Sequence, residues 1–268
     1  MSILNKMFMI TGGAQGLGKG FALAVLKHGG KVILVDIQKE TGEETENEFN
    51  KTYPGQSVFY HGNISDKFMM NYIWEDSEKK LNGKISVLVN NAGVYCPSNF
   101  IKTMEINLIS LMQTTYIALE KMSIKNGGNG GIIINIASSA GLSPEIMLLT
   151  HPNPIETIPY CVSKSATVTF TKSLALSNIL ENDGVKVAAI CPNAVDTPLV
   201  TGNETLVNML KSLDVALLSV EKVANDFIQL LEDLHNNSAK SGDILFVGQV
   251  ANYVNTPKYE LPDMSGKN

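Results

Sequence analysis

Tyr160 stands four residues before Lys164 in the stretch "IPYCVSK", residues 158–164. On a helix those positions share one face, one turn apart. A phenol has a reference pKa near 10, so acting as a base near neutral pH requires a drop of roughly 2–3 units, or ~3–4 kcal/mol. An ammonium about 4 Å from the phenolate contributes roughly 4 kcal/mol at an effective dielectric near 20. Lys164 can therefore supply the charge, and the pair reads as an acid/base couple. Taken alone, the same spacing also suits a surface lysine beside a packed tyrosine. The rest of the chain must decide between the two.

A second chemical feature lies near the start, in "ITGGAQGLGKG". Gly12, Gly16 and Gly18 follow an apolar run and precede an amphipathic one. Their spacing is a variant of the dinucleotide-binding loop: one glycine for a tight turn, one for backbone approach to a pyrophosphate, one for close packing of helix on sheet. The helix N-terminus offers free N–H groups to phosphates. Asp36 closes the next apolar run, "VILVDIQ". A carboxylate there accepts from both ribose hydroxyls of NAD and repels a 2′-phosphate. Ile37 and Gln38 follow it, so no adjacent cation welcomes NADP. The expected cofactor is NAD, with Leu17, Ile37, Asn63 and Ile64 beside the glycines and Asp36. The amide of Asn63 can pair with an adenine amino group, although a turn asparagine reads the same way.

Four further motifs follow in order: "NNAG" (90–93), "INLIS" (106–110), "NIASSAG" (135–141) and "CPNAVDTP" (191–198). With the glycine loop and "YCVSK", the chain from residue 6 to about 248 resembles the short-chain dehydrogenase/reductase family. The resemblance implies that Tyr160 is the acid/base and that Ser138 holds the substrate oxygen. It implies that Lys164 lowers the tyrosine pKa and holds the nicotinamide ribose. Asn107 would bend its helix and anchor a water in a proton relay. Asn91 would sit by the cofactor ribose, and Val195 and Thr197 by the nicotinamide carboxamide and phosphates. Ile158, just ahead of the tyrosine, would touch the substrate. Three departures concern the substrate wall and the adenine end. Ser138 and Tyr160 are 22 residues apart, longer than the family's usual spacing, with the extra residues in "PEIMLLTHPNPIET". Asn63 replaces an aspartate, and Pro192-Asn193 replaces Pro-Gly.

The elements that must position these groups are legible from periodicity. Short Val/Ile-rich runs lie at 6–10, 31–36, 57–62, 85–90, 131–137, 185–190 and 243–247, and most are apolar throughout, as strands covered on both faces are. Helical stretches at about 16–29, 40–51, 66–82, 100–126, 159–182 and 219–235 separate them. The pattern predicts one α/β domain with a doubly wound, mainly parallel, seven-stranded Rossmann-type sheet. Segments 141–158 and 197–218 break the rhythm and follow strand C-termini, where ligands of open sheets bind. Residues 249–268 read as a loosely held C-terminal tail.

Composition narrows the partners. The chain has 268 residues, 44% hydrophobic and 18% charged, with a net charge of −5. That balance argues against nucleic acid and anionic membrane surfaces. Cys96, Cys161 and Cys191 have no metal spacing and read as free thiols of a reducing compartment. No metal is expected, and the start of the chain has no signal-peptide pattern, so a cytoplasmic location is expected.

The resemblance implies oxidation of a secondary alcohol to a ketone with NAD, and a homodimer formed through helices 100–126 and 159–182. Met147, Leu148 and Leu149, with Leu199, Leu206, Met209, Leu210, Leu213 and Leu217, either line a lipid-sized pocket or pack the loops. His151, alone among prolines, reads as a surface residue. Alternatives are an insect-type alcohol dehydrogenase, an NADP-linked carbonyl reductase, and outside enzymes a non-catalytic NAD sensor or scaffold.

Overall fold

A computed structural model of the chain describes residues 3–177 and 179–254. The first half runs β1 (Met7–Thr11), α1 (Gly16–Lys27), β2 (Lys31–Asp36), α2 (Lys39–Thr52), β3 (Ser57–His61), α3 (Lys67–Lys80) and β4 (Ile85–Asn90). Then come α4 (Phe100–Met104), a π-helical turn (Glu105–Ile109), α5 (Ser110–Met122), β5 (Gly131–Ile136) and α6 (Glu145–Thr150). Next are α7 (Ile158–Leu176), α8 (Ile179–Asp183), β6 (Val185–Pro192), α9 (Pro198–Thr201) and α10 (Glu204–Ser212). The order ends with α11 (Val220–Asn236), β7 (Ile244–Val247) and β8 (Ala251–Tyr253).

The strands form one sheet in the order β3-β2-β1-β4-β5-β6-β7-β8. All neighbours are parallel except β7 and β8. Sequence order reverses between β1 and β4, which opens a crevice at the strand C-termini. The sheet is covered on both faces, so its strands are apolar on both sides. One face packs Phe8, Ile10 and Leu34 under α1 and α11, with Phe21 and Phe227 rings 4.7 Å apart. The other packs Met9, Ile33, Leu88 and Ile133 under α3, α5 and α7.

The sheet has eight strands where the apolar runs predict seven. The extra strand lies in the segment read as tail. Ala251–Tyr253 turn back along β7, pairing Val247 with Ala251 and Leu245 with Tyr253. The Tyr253 phenol donates to Asp233 at 2.6 Å. Three residues without an apolar run carry no periodic signal, so only the pairing reveals the strand. Residues 255–268 of that tail lie outside the described residues.

A buried polar ladder ties the helices to the strand ends. Asn90 and Asn135 are register partners on β4 and β5, 2% and 0% exposed. Asn90 Nδ2 donates to Asn135 Oδ1 and to Thr115 Oγ1, both at 2.9 Å. Thr114 donates to Asn90 Oδ1 at 2.6 Å, and Asn135 Nδ2 donates to Thr171 Oγ1 at 2.9 Å. Thr115 belongs to α5 and Thr171 to α7, so the ladder sets both helices on the sheet. An unpaired buried polar group costs about 1–3 kcal/mol. Asn135→Ala strips partners from Asn90 and Thr171 together, so it is expected to lower unfolding free energy by about 2–4 kcal/mol in urea denaturation.

Candidate active site

The crevice at the strand C-termini is a cavity of about 950 Å³. Its wall includes Gly12, Gly16, Leu17, Asp36, Ile37, Asn63 and Ile64 on the β1 side of the topological switch, and Asn91 on the β4 side. Ser138, Tyr160, Lys164, Val195 and Thr197 complete the wall beside them. Every catalytic and cofactor candidate except Gly18 and Asn107 lines it, and the substrate candidate Ile158 does not. Gly18 and Asn107 support residues that do.

The glycine loop is shaped by close approach. Gly12 and Gly16 have φ of 65° and 55°, the left-handed region that favours glycine. A Cβ on Gly18 would stand 2.0 Å from the Gly12 carbonyl oxygen. Asn91 Nδ2 donates to the Thr11 and Gly12 carbonyls, each at 2.9 Å, which locks the loop to the end of β4. The N-cap of α1, Gln15, makes no side-chain cap, and no acid occupies the first turn. The helix N-terminus thus presents uncapped donors and no competing carboxylate to the cavity. Asp36 is 7% exposed and accepts from the amides of Ala14 and Gln38, both at 3.0 Å. It therefore caps the turn and faces the cavity as well. A carboxylate offers about four lone-pair sites, so acceptors remain after those two bonds. Asn63 is exposed and turns its Oδ1 to the Ser65 amide at 3.0 Å. These features suit a dinucleotide: a cradle that only glycine leaves open, free helix N–H groups, and an acid at the far end.

The chemical centre is built where α7 crosses the end of β5. Ser138 Oγ accepts from the Ala140 amide at 3.2 Å and faces the same cavity as the Tyr160 phenol. A Cβ on Gly141 would stand 2.6 Å from the Lys164 carbonyl carbon, so the turn that carries Ser138 lies directly on α7. Lys164 is 4% exposed and donates to the Ile136 carbonyl at 2.9 Å. Its ammonium is 5.8 Å from the Tyr160 ring centroid. Burial pushes the phenol pKa of Tyr160 up, and the Ser138 hydroxyl pulls it down. The ammonium of Lys164 is held by a backbone acceptor on β5. Its own desolvation brings Lys164 down to about 8.

Asn107 lies in the π-helical turn and is fully buried. Its Nδ2 donates to the Val94 carbonyl at 2.9 Å and Ser163 Oγ at 3.1 Å, while Oδ1 accepts from the Val94 amide at 2.8 Å. Both N–H donors are committed to protein, so the side chain holds the 93–94 turn beside Lys164. Ile158 is 44% exposed and off the cavity wall. Two residues along a helix rotate a side chain by about 200°, so it points away from the face of Tyr160. No substrate contact for Ile158 follows from this structure.

The two irregular segments close the cavity. Met147, Leu199, Leu206, Met209 and Leu210 line it, with Leu206, Met209 and Leu210 forming a buried cluster on α10. Leu213 and Leu217 are 38% and 37% exposed and stay outside. The Leu149 side chain lies outside the described residues. His151 is 7% exposed, not a surface residue, and its Nε2 lies 3.3 Å from the Tyr95 hydroxyl. Tyr95 lines the cavity without having been marked by any motif. Tyr95 and His151 meet across 56 residues of chain, which no local pattern signals.

Lys164 carries a pH signature. A charged lysine penalised by burial lowers stability below its folded pKa of about 8; the penalty lifts as the folded state sheds the proton before the unfolded chain does, near 10.4. The sign is a stability that rises with pH across that window, by about 3 kcal/mol from this group alone. Lys164→Met is expected to lack that rise. Subtracting its pH–stability curve from that of the parent isolates it.

The profile of the short chain dehydrogenase family matches residues 6–208. The chain is 37% identical over 254 residues to the 15-hydroxyprostaglandin dehydrogenase [NAD(+)] of Bos taurus, covering 89% of this chain and 91% of that protein. The Homo sapiens protein of the same description is 36% identical over the same length, covering 89% and 91%. Alcohol dehydrogenase 1 of Ceratitis cosyra is 42% identical over 115 residues, 43% of this chain and 41% of that one. Among solved structures, 3-ketoacyl-(acyl-carrier-protein) reductase from Brucella melitensis complexed with NADH superposes with a TM-score of 0.74 at 26% identity, covering 92% of this chain and 98% of that one.

Proposed function

This chain belongs to the short-chain dehydrogenase family, and from that premise we propose that it oxidises a lipid-like secondary alcohol to a ketone with NAD. The observation that carries the reading is the convergence of Ser138, Tyr160 and Lys164 on one cavity with an uncapped glycine loop at its other end. Asp36 beside that loop supports NAD over NADP, since its carboxylate accepts ribose hydroxyls and repels a 2′-phosphate. The NAD-dependent relatives and the NADH-bound structural neighbour support the same choice.

In this reading the Gly12–Gly18 loop, Asp36, Ile37, Asn63, Ile64, Asn91, Val195 and Thr197 hold the cofactor. NAD, when bound, supplies the acceptor for the carbinol hydrogen with its electron pair, together with the positive charge of its oxidised ring. Tyr160 takes the hydroxyl proton. Ser138 donates to the reacting oxygen and steadies its charge. Lys164 holds the nicotinamide ribose, its buried ammonium already oriented by Ile136. Because burial raises the phenol pKa, the proton-accepting form grows with pH, and alcohol oxidation quickens toward alkaline pH.

The apolar wall from Leu142, Met147, Leu199, Val200, Leu206, Met209 and Leu210 supports a long, greasy substrate. A 15-hydroxyprostaglandin, the substrate named for the mammalian relatives, and long 2-alkanols are the first compounds to test. We further assign a homodimer and a cytosolic setting. Ile109, Tyr116, Val162 and Leu176 are 59%, 54%, 48% and 80% exposed on and beside the two helices of the expected interface. The free thiols of Cys96, Cys161 and Cys191 suit a reducing compartment.

NADH absorbance tests the reaction. Wild-type protein is expected to reduce NAD with a long secondary alcohol and to use NADP at least tenfold less efficiently. Tyr160→Phe is expected to lose 10²-fold or more in kcat, the usual range for a general base, while NAD affinity stays within a few-fold. Turnover of the variant near wild type removes the base assignment. Light scattering tests the assembly: a mass near twice 29.0 kDa is expected, shifting to the single-chain mass in Tyr116→Glu.

A further inference from the structure

Tyr95 lines the cavity and meets Tyr160, the α10 cluster and the inserted segment. Its ring meets the Tyr160 ring edge-on, centroids 5.5 Å apart at 79°. It packs against the α10 cluster of Leu206, Met209 and Leu210, beside Met147 of the inserted segment. Its hydroxyl lies 3.3 Å from His151 Nε2. His151 is held in turn by Asn153, whose carbonyl and amide lie 2.8 and 3.1 Å from its Nδ1; the shorter contact puts the proton on Nδ1 and leaves the Nε2 lone pair for the Tyr95 O–H. Asn153 is tied to Glu156 through Nδ2 and Oε1 at 2.7 Å. Burial pushes the Tyr95 phenol up to about 12, so it stays an O–H donor at neutral pH. Neither Tyr95 nor His151 is needed for the acid/base chemistry, yet the contact joins the insertion to the reactive tyrosine.

We propose that Tyr95, fixed by His151 of the 141–158 insertion, is the specificity-determining wall of the alcohol site and positions the apolar arm of the substrate against Tyr160. The insertion thereby sets substrate length. An unanchored Tyr95 swings out of the wall, and long alcohols lose a surface that short ones never reach. This rests on reading the cavity as an alcohol dehydrogenase site.

The test measures KM and kcat for 2-decanol and 2-butanol, and KM for NAD, in wild type, Tyr95→Phe, His151→Leu, His151→Gln and Tyr95→Phe/His151→Leu. NADH fluorescence confirms that each variant retains a folded cofactor site. A net hydrogen bond of about 1 kcal/mol corresponds to roughly fivefold. The expected result is a KM for 2-decanol raised about fivefold in Tyr95→Phe and in His151→Leu, with 2-butanol and NAD within twofold. The double variant is no worse than either single, and His151→Gln, whose amide oxygen still accepts, returns toward wild type. Equal changes for both alcohols, additive effects, a moved KM for NAD, or unchanged 2-decanol kinetics in variants of an active enzyme overturn the inference alone. Should Tyr95→Phe fail to fold, His151→Leu against His151→Gln decides from the other side of the bond. A wild-type protein inert toward every secondary alcohol removes the underlying reading and this inference with it.

Discussion

The ammonium of Lys164 reaches back 28 residues to the Ile136 carbonyl, in a setting that is 4% exposed. Holding a cation there is unfavourable, as its pKa of about 8 records. The contact nevertheless fixes the crossing of α7 over the end of β5. Gly141 lets that crossing close to van der Waals contact, and the Asn135–Thr171 bond repeats it one layer deeper. Ser138 on the β5 turn and Tyr160 on α7 face one cavity because of this docking.

The polar groups beneath the site serve the same crossing. Asn90, Asn135, Thr114, Thr115 and Thr171 are all 2% exposed or less, and their bonds run from β4 through β5 to α5 and α7. A fully satisfied buried network rigidifies what it joins, while a half-satisfied one is worse than an apolar core. Asn107 extends the idea to the π-helical turn, where one side chain joins the Val94 backbone to Ser163 of α7. The reactive groups are thus placed by a scaffold of asparagines and threonines rather than by apolar packing alone. Apolar packing takes over beyond Tyr160, where Tyr95, Met147 and the α10 cluster form the other wall.

Much of the fold was legible because each strand is buried on both faces and each crossover helix carries its own period. The positions of β1 to β7 and the glycine loop follow from local composition. The eighth strand was not legible, since Ala251–Tyr253 owe their conformation to pairing with β7 rather than to any pattern of their own. Ile158 shows a limit on a helix: the resemblance implied a substrate contact, and the side chain stands 44% exposed and off the cavity wall. His151 shows the reverse, a residue that looks exposed among prolines and is buried against Tyr95.

By itself the sequence determined the chemistry: a tyrosine, a lysine and a serine in spaced motifs, a glycine loop open to phosphates, and an acid at the end of β2. Those features are local, and a few residues of spacing specify each one. Only the tertiary structure decided what the lysine bonds to, which of the leucines after residue 197 face the cavity, and that Tyr95 meets His151. The physical reason is that desolvation, wall shape and long-range hydrogen bonds depend on which elements pack together, and a spacing of 28 or 56 residues carries no trace of that in the chain.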